Sequence, residues 1–279
     1  MSAVAIRSKR IRSHSEEGES VFVSMTDLTV SFLFIILILL AFFAKKVEME
    51  ETTLASHLER IASERKELLD KLKDELSTNL PGIKVTVDEK HGVIRFHAEE
   101  LFASGQWEIS PDSLAYKMSR AVGDALAETL PCYTLIPPTD VQVVNCPDVV
   151  AAIETIQIEG HTDDVPISGR RRIQTGLLDN RDLSARRGAE TLRAVTDRYR
   201  PDLMSYRNRE GQPVLSFAGY GEMRPIETGD SEEARAFNRR IDIRFILETP
   251  QNVREVEEIR KQLLRNRQRP LPVQDGQML

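Results

Sequence analysis

The chain has 279 residues, with 38 basic against 44 acidic side chains and a net charge of −6. At 41% hydrophobic and 29% charged, it is composed like a folded protein of one or two domains and is too apolar for global disorder. The acidic balance argues against direct nucleic-acid binding, which needs excess Lys and Arg, and two cysteines build neither a disulfide-rich scaffold nor a four-cysteine zinc site.

Residues 1–20 (MSAVAIRSKRIRSHSEEGES) read as a short polar tail. Residues 21–44 follow as an apolar span whose single acid is Asp27, and LTVSFLFIILILLAFFA from Leu28 to Ala44 carries no charge. At about 1.5 Å per residue the span covers roughly 36 Å, enough for a hydrocarbon core of about 30 Å. A cleaved signal peptide is the alternative, but the run exceeds a signal core of about 7–15 residues and no small-residue cleavage site follows. Arg7, Lys9, Arg10 and Arg12 precede the span and Lys45 and Lys46 follow it. The positive-inside rule therefore places the N-terminus in the cytoplasm and the rest outside. A carboxylate at mid-membrane costs about 2.5–3.5 kcal/mol, and somewhat less near an edge. Asp27 is thus either a functional acid, with Thr26 and Thr29 beside it as hydrogen-bond or ion ligands, or a side chain snorkelling to the cytoplasmic surface.

Residues 45–80 read as a helical stalk. Leu54, Leu58, Ile61, Arg65, Leu68 and Leu72 recur at heptad spacing, which suits a short parallel coiled coil and a homodimer. The alternative is an amphipathic stalk docking on its own domain. Asn79-Leu80-Pro81-Gly82 stops the helix. IKVTVDE and GVIRFHAEE alternate around Lys90-His91-Gly92 as a β-hairpin. Ser110-Pro111-Asp112 opens a helix to about Leu130, with Ser110 as its N-cap. Residues 131–150 form a Pro-rich insertion holding Cys132 and Cys146.

IETIQIEG is a strand, followed by a polar loop and a helix from about Asn180 to Tyr199. VLSFAGYG and RRIDIRFIL are the last strands, with a short helix around 231–238 between them, and residues 249–279 form a charged, partly helical tail. This alternation predicts an α/β (α+β) sandwich over residues 83–248, with helices on one face of a mixed sheet.

The chemistry concentrates in IQIEGHTDDVP, DNRDLSARRGAETL, FAGYGEMRPI and FNRRIDIRF. A carboxylate, an arginine and amide donors converging at sheet ends make a site for a ligand with both an ammonium and a carboxylate. Arg186 reads as a solvated surface arginine, Asp164 as a turn residue, and Asn180 as a helix N-cap that also faces the site. A metal or acid/base role for His161 lacks a second spaced His or a Cys ligand, and no GxSxG, HExxH or phosphate-binding loop occurs. Neither an enzyme nor a bound cofactor or metal is expected.

GHTD, N-x-x-LS-x-R-R, GYG…P and NRR-I-x-I, together with FASGQWEISPDSL upstream, resemble the OmpA-like peptidoglycan-binding domain. The resemblance implies that Asp163 takes the ammonium and Arg187 the carboxylate of the diaminopimelate in the wall's stem peptide. Thr162, Asn180, Leu183 and Asn238 are the supporting contacts it implies. It also implies an oxidising periplasm, in which Cys132 and Cys146 close a disulfide, with two free buried thiols as the alternative. Tail, span, stalk and wall-binding domain together resemble MotB-type stator subunits of ion-driven rotary motors. That resemblance implies an inner-membrane homodimer inside a ring of polytopic MotA-like partners, with Asp27 relaying H⁺ or Na⁺. VFVSMTDLTVSFLF around the acid and the Cys-bearing insertion are more similar to the ZorB family of Zorya anti-phage defence, whose ring-forming partner is ZorA.

Overall fold

A computed structural model describes residues 3–97, 101–103 and 105–269, with side chains described from residue 24 onward. The charges of the tail 1–20, residues 98–100 of the hairpin, Ser104 and residues 270–279 of the C-terminal tail lie outside that description. The chain divides into two units, Met1–Ala55 and Ser56–Leu279, and helix α1 (Ala3–Asn79) contributes to both.

In the first unit α1 is long and apolar enough to cross a membrane, and none of its apolar stretch is buried within the protein. Phe32, Phe34, Phe42 and Phe43 are all more than half exposed. Asp27 is exposed and carries no partner among the described residues. The Thr29 hydroxyl is committed to its own helix, donating to the Thr26 carbonyl at 2.8 Å.

The second unit is a five-stranded sheet in the order β1-β2-β5-β3-β4. Its strands are β1 (Val85–Asp88), β2 (Val93–His97), β3 (Ile153–His161), β4 (Leu215–Gly219) and β5 (Arg240–Leu247). β3 and β4 run parallel, while β1–β2, β2–β5 and β3–β5 are antiparallel. The sheet is therefore mixed, as the strand and helix alternation predicts. Residues Ile156, Ile158, Ile241, Ile243 and Phe245 are buried on one face. The C-terminal part of α1, α2 (Leu114–Tyr133) and α4 (Asn180–Val195) cover that face.

The heptad stripe behaves differently from a free coiled coil. Ile61, Leu68 and Leu72 are buried within their own unit, together with Leu69 and Leu76, which are off the seam. The apolar face is too broad for a two-stranded seam and is the kind that docks on a core. Only Leu58 stays exposed and Leu54 half-buried. Glu64 fixes the docking, since its Oε2 accepts from the backbone N–H groups of Val150 and Ala151 at 2.9 and 2.8 Å.

Helix α2 starts later than its sequence suggests. Ser113, not Ser110, is the N-cap, accepting from the Tyr116 N–H at 3.2 Å, while Ser110 accepts from Ser113 in the preceding turn. The helix also runs on through Pro131 and Cys132 to Tyr133. Cys132 and Cys146 are joined by a disulfide, with Cα atoms 5.3 Å apart. The loop it closes is tied to α6 (Val253–Gln268), whose Asn266 donates to the carbonyls of Thr134 and Leu135. Val256, Ile259 and Leu263 of α6 are buried, so this part of the charged tail belongs to the packed unit.

Candidate functional site

Helix α4 sits unusually close to the sheet because glycines remove the side chains between them. A Cβ on Gly160 would fall 2.0 Å from the Ser184 carbonyl oxygen, and one on Gly219 would fall 2.3 Å from the Ala185 nitrogen. Gly188 leaves the same room for the carbonyls of Ala218 and Ile158. This contact sets the first turns of α4 beside the chain leaving β3, and with them Arg187.

A cleft of about 760 Å³ opens there. Its walls come from Phe102, Ala103 and Gly105, the segment 162–168, α4, and the junction of α5 (Glu232–Asn238) with β5. Thr162, Asp163, Asn180, Leu183 and Arg187 all line it. Asn238 does not: its side chain accepts from the N–H groups of Ile226 and Glu227 and donates to the Glu227 carbonyl. It anchors the loop at 226–227 and does not line the cleft, which corrects its assignment as a ligand contact.

Arg187 is 2% exposed. Its Nε donates to the Gln106 carbonyl at 2.9 Å, its Nη2 to the Ala103 carbonyl at 3.4 Å, and its guanidinium lies over the Phe102 ring at 5.1 Å. Among the described residues it holds no carboxylate by hydrogen bond. Burial pushes its pKa down to about 10, with Asp163 opposing the drop and Arg239 adding to it. A desolvated guanidinium without an anion gains strongly from one that enters its pocket.

Asp163 is held at both oxygens. Oδ1 accepts from the Val165 N–H at 3.1 Å, and Oδ2 lies 2.7 Å from Arg239 Nη1. Arg239 continues to Glu232 Oε1 at 2.6 Å. Arg239 and Glu232 both line the cleft, and sequence reasoning missed them; the NRR motif contained the signal. The Thr162 hydroxyl is buried at the cleft wall with no hydrogen-bond partner.

Asn180 is the first residue of α4 and not its cap. Asp179 caps the helix, accepting from the N–H groups of Arg181 and Asp182 at 2.9 and 3.0 Å. The Asn180 amide instead donates to the carbonyls of Asp163 and Val165, fixing the loop that carries the acid. Leu183 packs with Ile167, Leu177 and Trp107 as the apolar wall. The loop from 165 to 179 contains a short helix, α3 (Gly169–Thr175), that its polar sequence hides. Arg186 stacks on Trp107 at 4.8 Å and pairs with Asp182, and Asp164 pairs with Arg235 at 2.9 Å at the surface.

His161 is not part of the cleft lining. It is 1% exposed and stacks on Tyr220, with Nε2 3.5 Å from Glu159 and 3.6 Å from Asp242. These three side chains could converge on a metal ion by distance, but arginines already take the carboxylates. Arg244 bonds Glu159 at 2.6 Å, while Arg240 and Arg95 bond Asp242 at 3.0 and 3.1 Å.

No family model matches the chain, and no curated protein does. Among solved structures it is similar to a protein from Desulfovibrio vulgaris described as MotB-like, at 24% identity and a TM-score of 0.46, covering 69% of this chain and 95% of that one. It is similar to the cell wall anchor of the T6SS from Pseudomonas aeruginosa, at 20% identity and a TM-score of 0.41, covering 64% of this chain and 97% of the other. The periplasmic domain of Helicobacter pylori MotB is similar at 17% identity and a TM-score of 0.41, covering 66% of this chain and 90% of that chain.

Proposed function

We propose that this chain is the wall-anchored, MotB-like subunit of an inner-membrane rotary motor, of the ZorB type that serves anti-phage defence with a ring-forming ZorA partner. The observation that carries wall binding is the cleft, where among the described residues Arg187 has no carboxylate hydrogen-bonded to it and the Thr162 hydroxyl has no partner. A diaminopimelate of the stem peptide satisfies both needs. Its carboxylate takes the Arg187 guanidinium, its ammonium takes Asp163, and Thr162 gains a hydrogen bond. Asn180 holds the acid's loop in place and Leu183 supplies an apolar wall.

In this reading the N-terminus is cytoplasmic, the apolar part of α1 crosses the inner membrane, and the Ser56–Leu279 unit is periplasmic. Two copies stand within the polytopic ring, and Asp27 takes up and releases H⁺ or Na⁺. The wall holds the dimer still so that ion flow turns the ring.

Co-sedimentation of the full chain in detergent with purified sacculi tests the wall site. Arg187→Gln and Asp163→Asn each lower binding about ten- to hundredfold, the worth of one charge-assisted bond of about 1.5–3 kcal/mol. Retained binding in both variants sinks the site. Plaquing by phage on cells carrying the native operon tests the ion relay, since Asp27→Asn abolishes protection at matched membrane levels. Protection that survives Asp27→Asn leaves a passive wall tether instead. If the wild type gives none, motility complementation decides for a flagellar stator.

A further inference from the structure

We infer that Arg239 is an intramolecular competitor for the cation subsite of the cleft. Its guanidinium occupies the Asp163 carboxylate, and Glu232 is the partner to which it withdraws when a ligand ammonium arrives. This rests on the reading of the cleft as a site for the stem peptide, and adds what sets its affinity.

Three observations carry it. First, Arg239 Nη1 lies 2.7 Å from Asp163 Oδ2, where a ligand ammonium would sit. Second, Nη2 already lies 2.6 Å from Glu232 Oε1, so breaking the first contact leaves the arginine paired. Glu232 is itself largely exposed, so the withdrawn pair sits in water at little cost. Third, the two cleft arginines differ in their anions. Arg239 already holds the carboxylates of Asp163 and Glu232 and has little attraction left for a ligand's, whereas among the described residues Arg187 hydrogen-bonds only backbone carbonyls. Arg187 is therefore the carboxylate subsite, and Arg239 stands in for the ligand's cation.

The test titrates full chain in detergent with the tripeptide L-Ala-D-Glu-meso-diaminopimelate at fixed salt, comparing wild type, Arg239→Gln, Glu232→Gln and the double variant. Arg239→Gln binds about two- to fivefold tighter, the range that an ion pair of this kind is worth. Glu232→Gln binds more weakly than wild type, because Arg239 then loses the carboxylate that draws its Nη2 away from Asp163. The double variant binds like Arg239→Gln, because Glu232 acts only through Arg239. Thermal melts of each variant confirm folding, and the exposed position of Glu232 keeps one arm informative if Arg239→Gln melts early. Wild-type binding that Arg239→Gln weakens or leaves unchanged overturns the inference alone. Absence of binding in every folded form overturns the peptide reading and the inference with it.

Discussion

At the residue scale, the motifs converge on one cleft for reasons that differ from residue to residue. Asp163 and Arg187 were legible because a carboxylate and an arginine stand in ordered motifs at element ends. Asn238 belongs to the same motifs but serves a loop, and nothing in spacing separates an amide that meets a ligand from one that meets two backbone N–H groups. Arg239 was hidden by its twin: Arg240 is buried in the sheet against Asp242, while Arg239 turns to the cleft. Gly160 and Gly219 carry no positive φ and serve packing. Gly160→Ala forces a methyl onto the Ser184 carbonyl at 2.0 Å. It should cost about 3 kcal/mol or more, since the contact is backbone on both sides. Chemical denaturation of wild type and variant reads this directly, and a loss under about 1 kcal/mol would show that α4 can move off the sheet.

At the element scale, the stalk shows how a periodic stripe misleads. Heptad spacing alone suits two partners equally, another copy of the helix or the helix's own domain. What separates them is the width of the stripe: Leu69 and Leu76 extend it beyond a two-stranded seam, and both are buried. Glu64 adds a second signal, because a buried acid inside an apolar stripe needs local donors, here the N–H groups of Val150 and Ala151. The segment just beyond the disulfide reaches the same helix, since Arg60 donates to the Asp148 carbonyl at 2.8 Å. Leu72 is 1% exposed, so Leu72→Ala should destabilise the domain by about 2–5 kcal/mol. If the helix docks on its own domain, that loss is the same at every protein concentration. A melting temperature that rises with concentration, and a loss that shrinks with it, would return the stripe to the coiled coil.

At the scale of the whole molecule, β5 divides the sheet unit into an apolar and an ionic layer. Ile241, Ile243 and Phe245 face the helices, and Arg240, Asp242 and Arg244 alternate with them on the other face beside Glu159 and His161. The period-two pattern of RRIDIRF was legible as a strand, but its charged half reads as solvated when the partner strand is unknown. The layer predicts an acid response. Burial opposes ionisation of Glu159, but contacts from His161 and Arg244 hold its pKa down to about 2, below the ordinary 4.5. The folded chain therefore binds that proton less readily than the unfolded one, and stability present above 4.5 is lost as pH falls toward about 2. His161 shifts the same way from its ordinary 6.5, because burial disfavours the imidazolium more than the nearby carboxylates favour it. Its contribution is thus lost as pH falls below 6.5. Denaturation midpoints measured from pH 8 to pH 3 should fall in two stages, the upper one due to His161 and the lower to Glu159. His161→Gln should remove the upper stage and keep the lower, because Arg244 still bonds Glu159 through both carboxylate oxygens. A midpoint that rises as pH falls from 7 to 5.5 in the wild type would mean that the imidazole is charged in the folded chain, bridging Glu159 and Asp242. The ionic layer would then draw stability from the very proton that burial is argued to exclude.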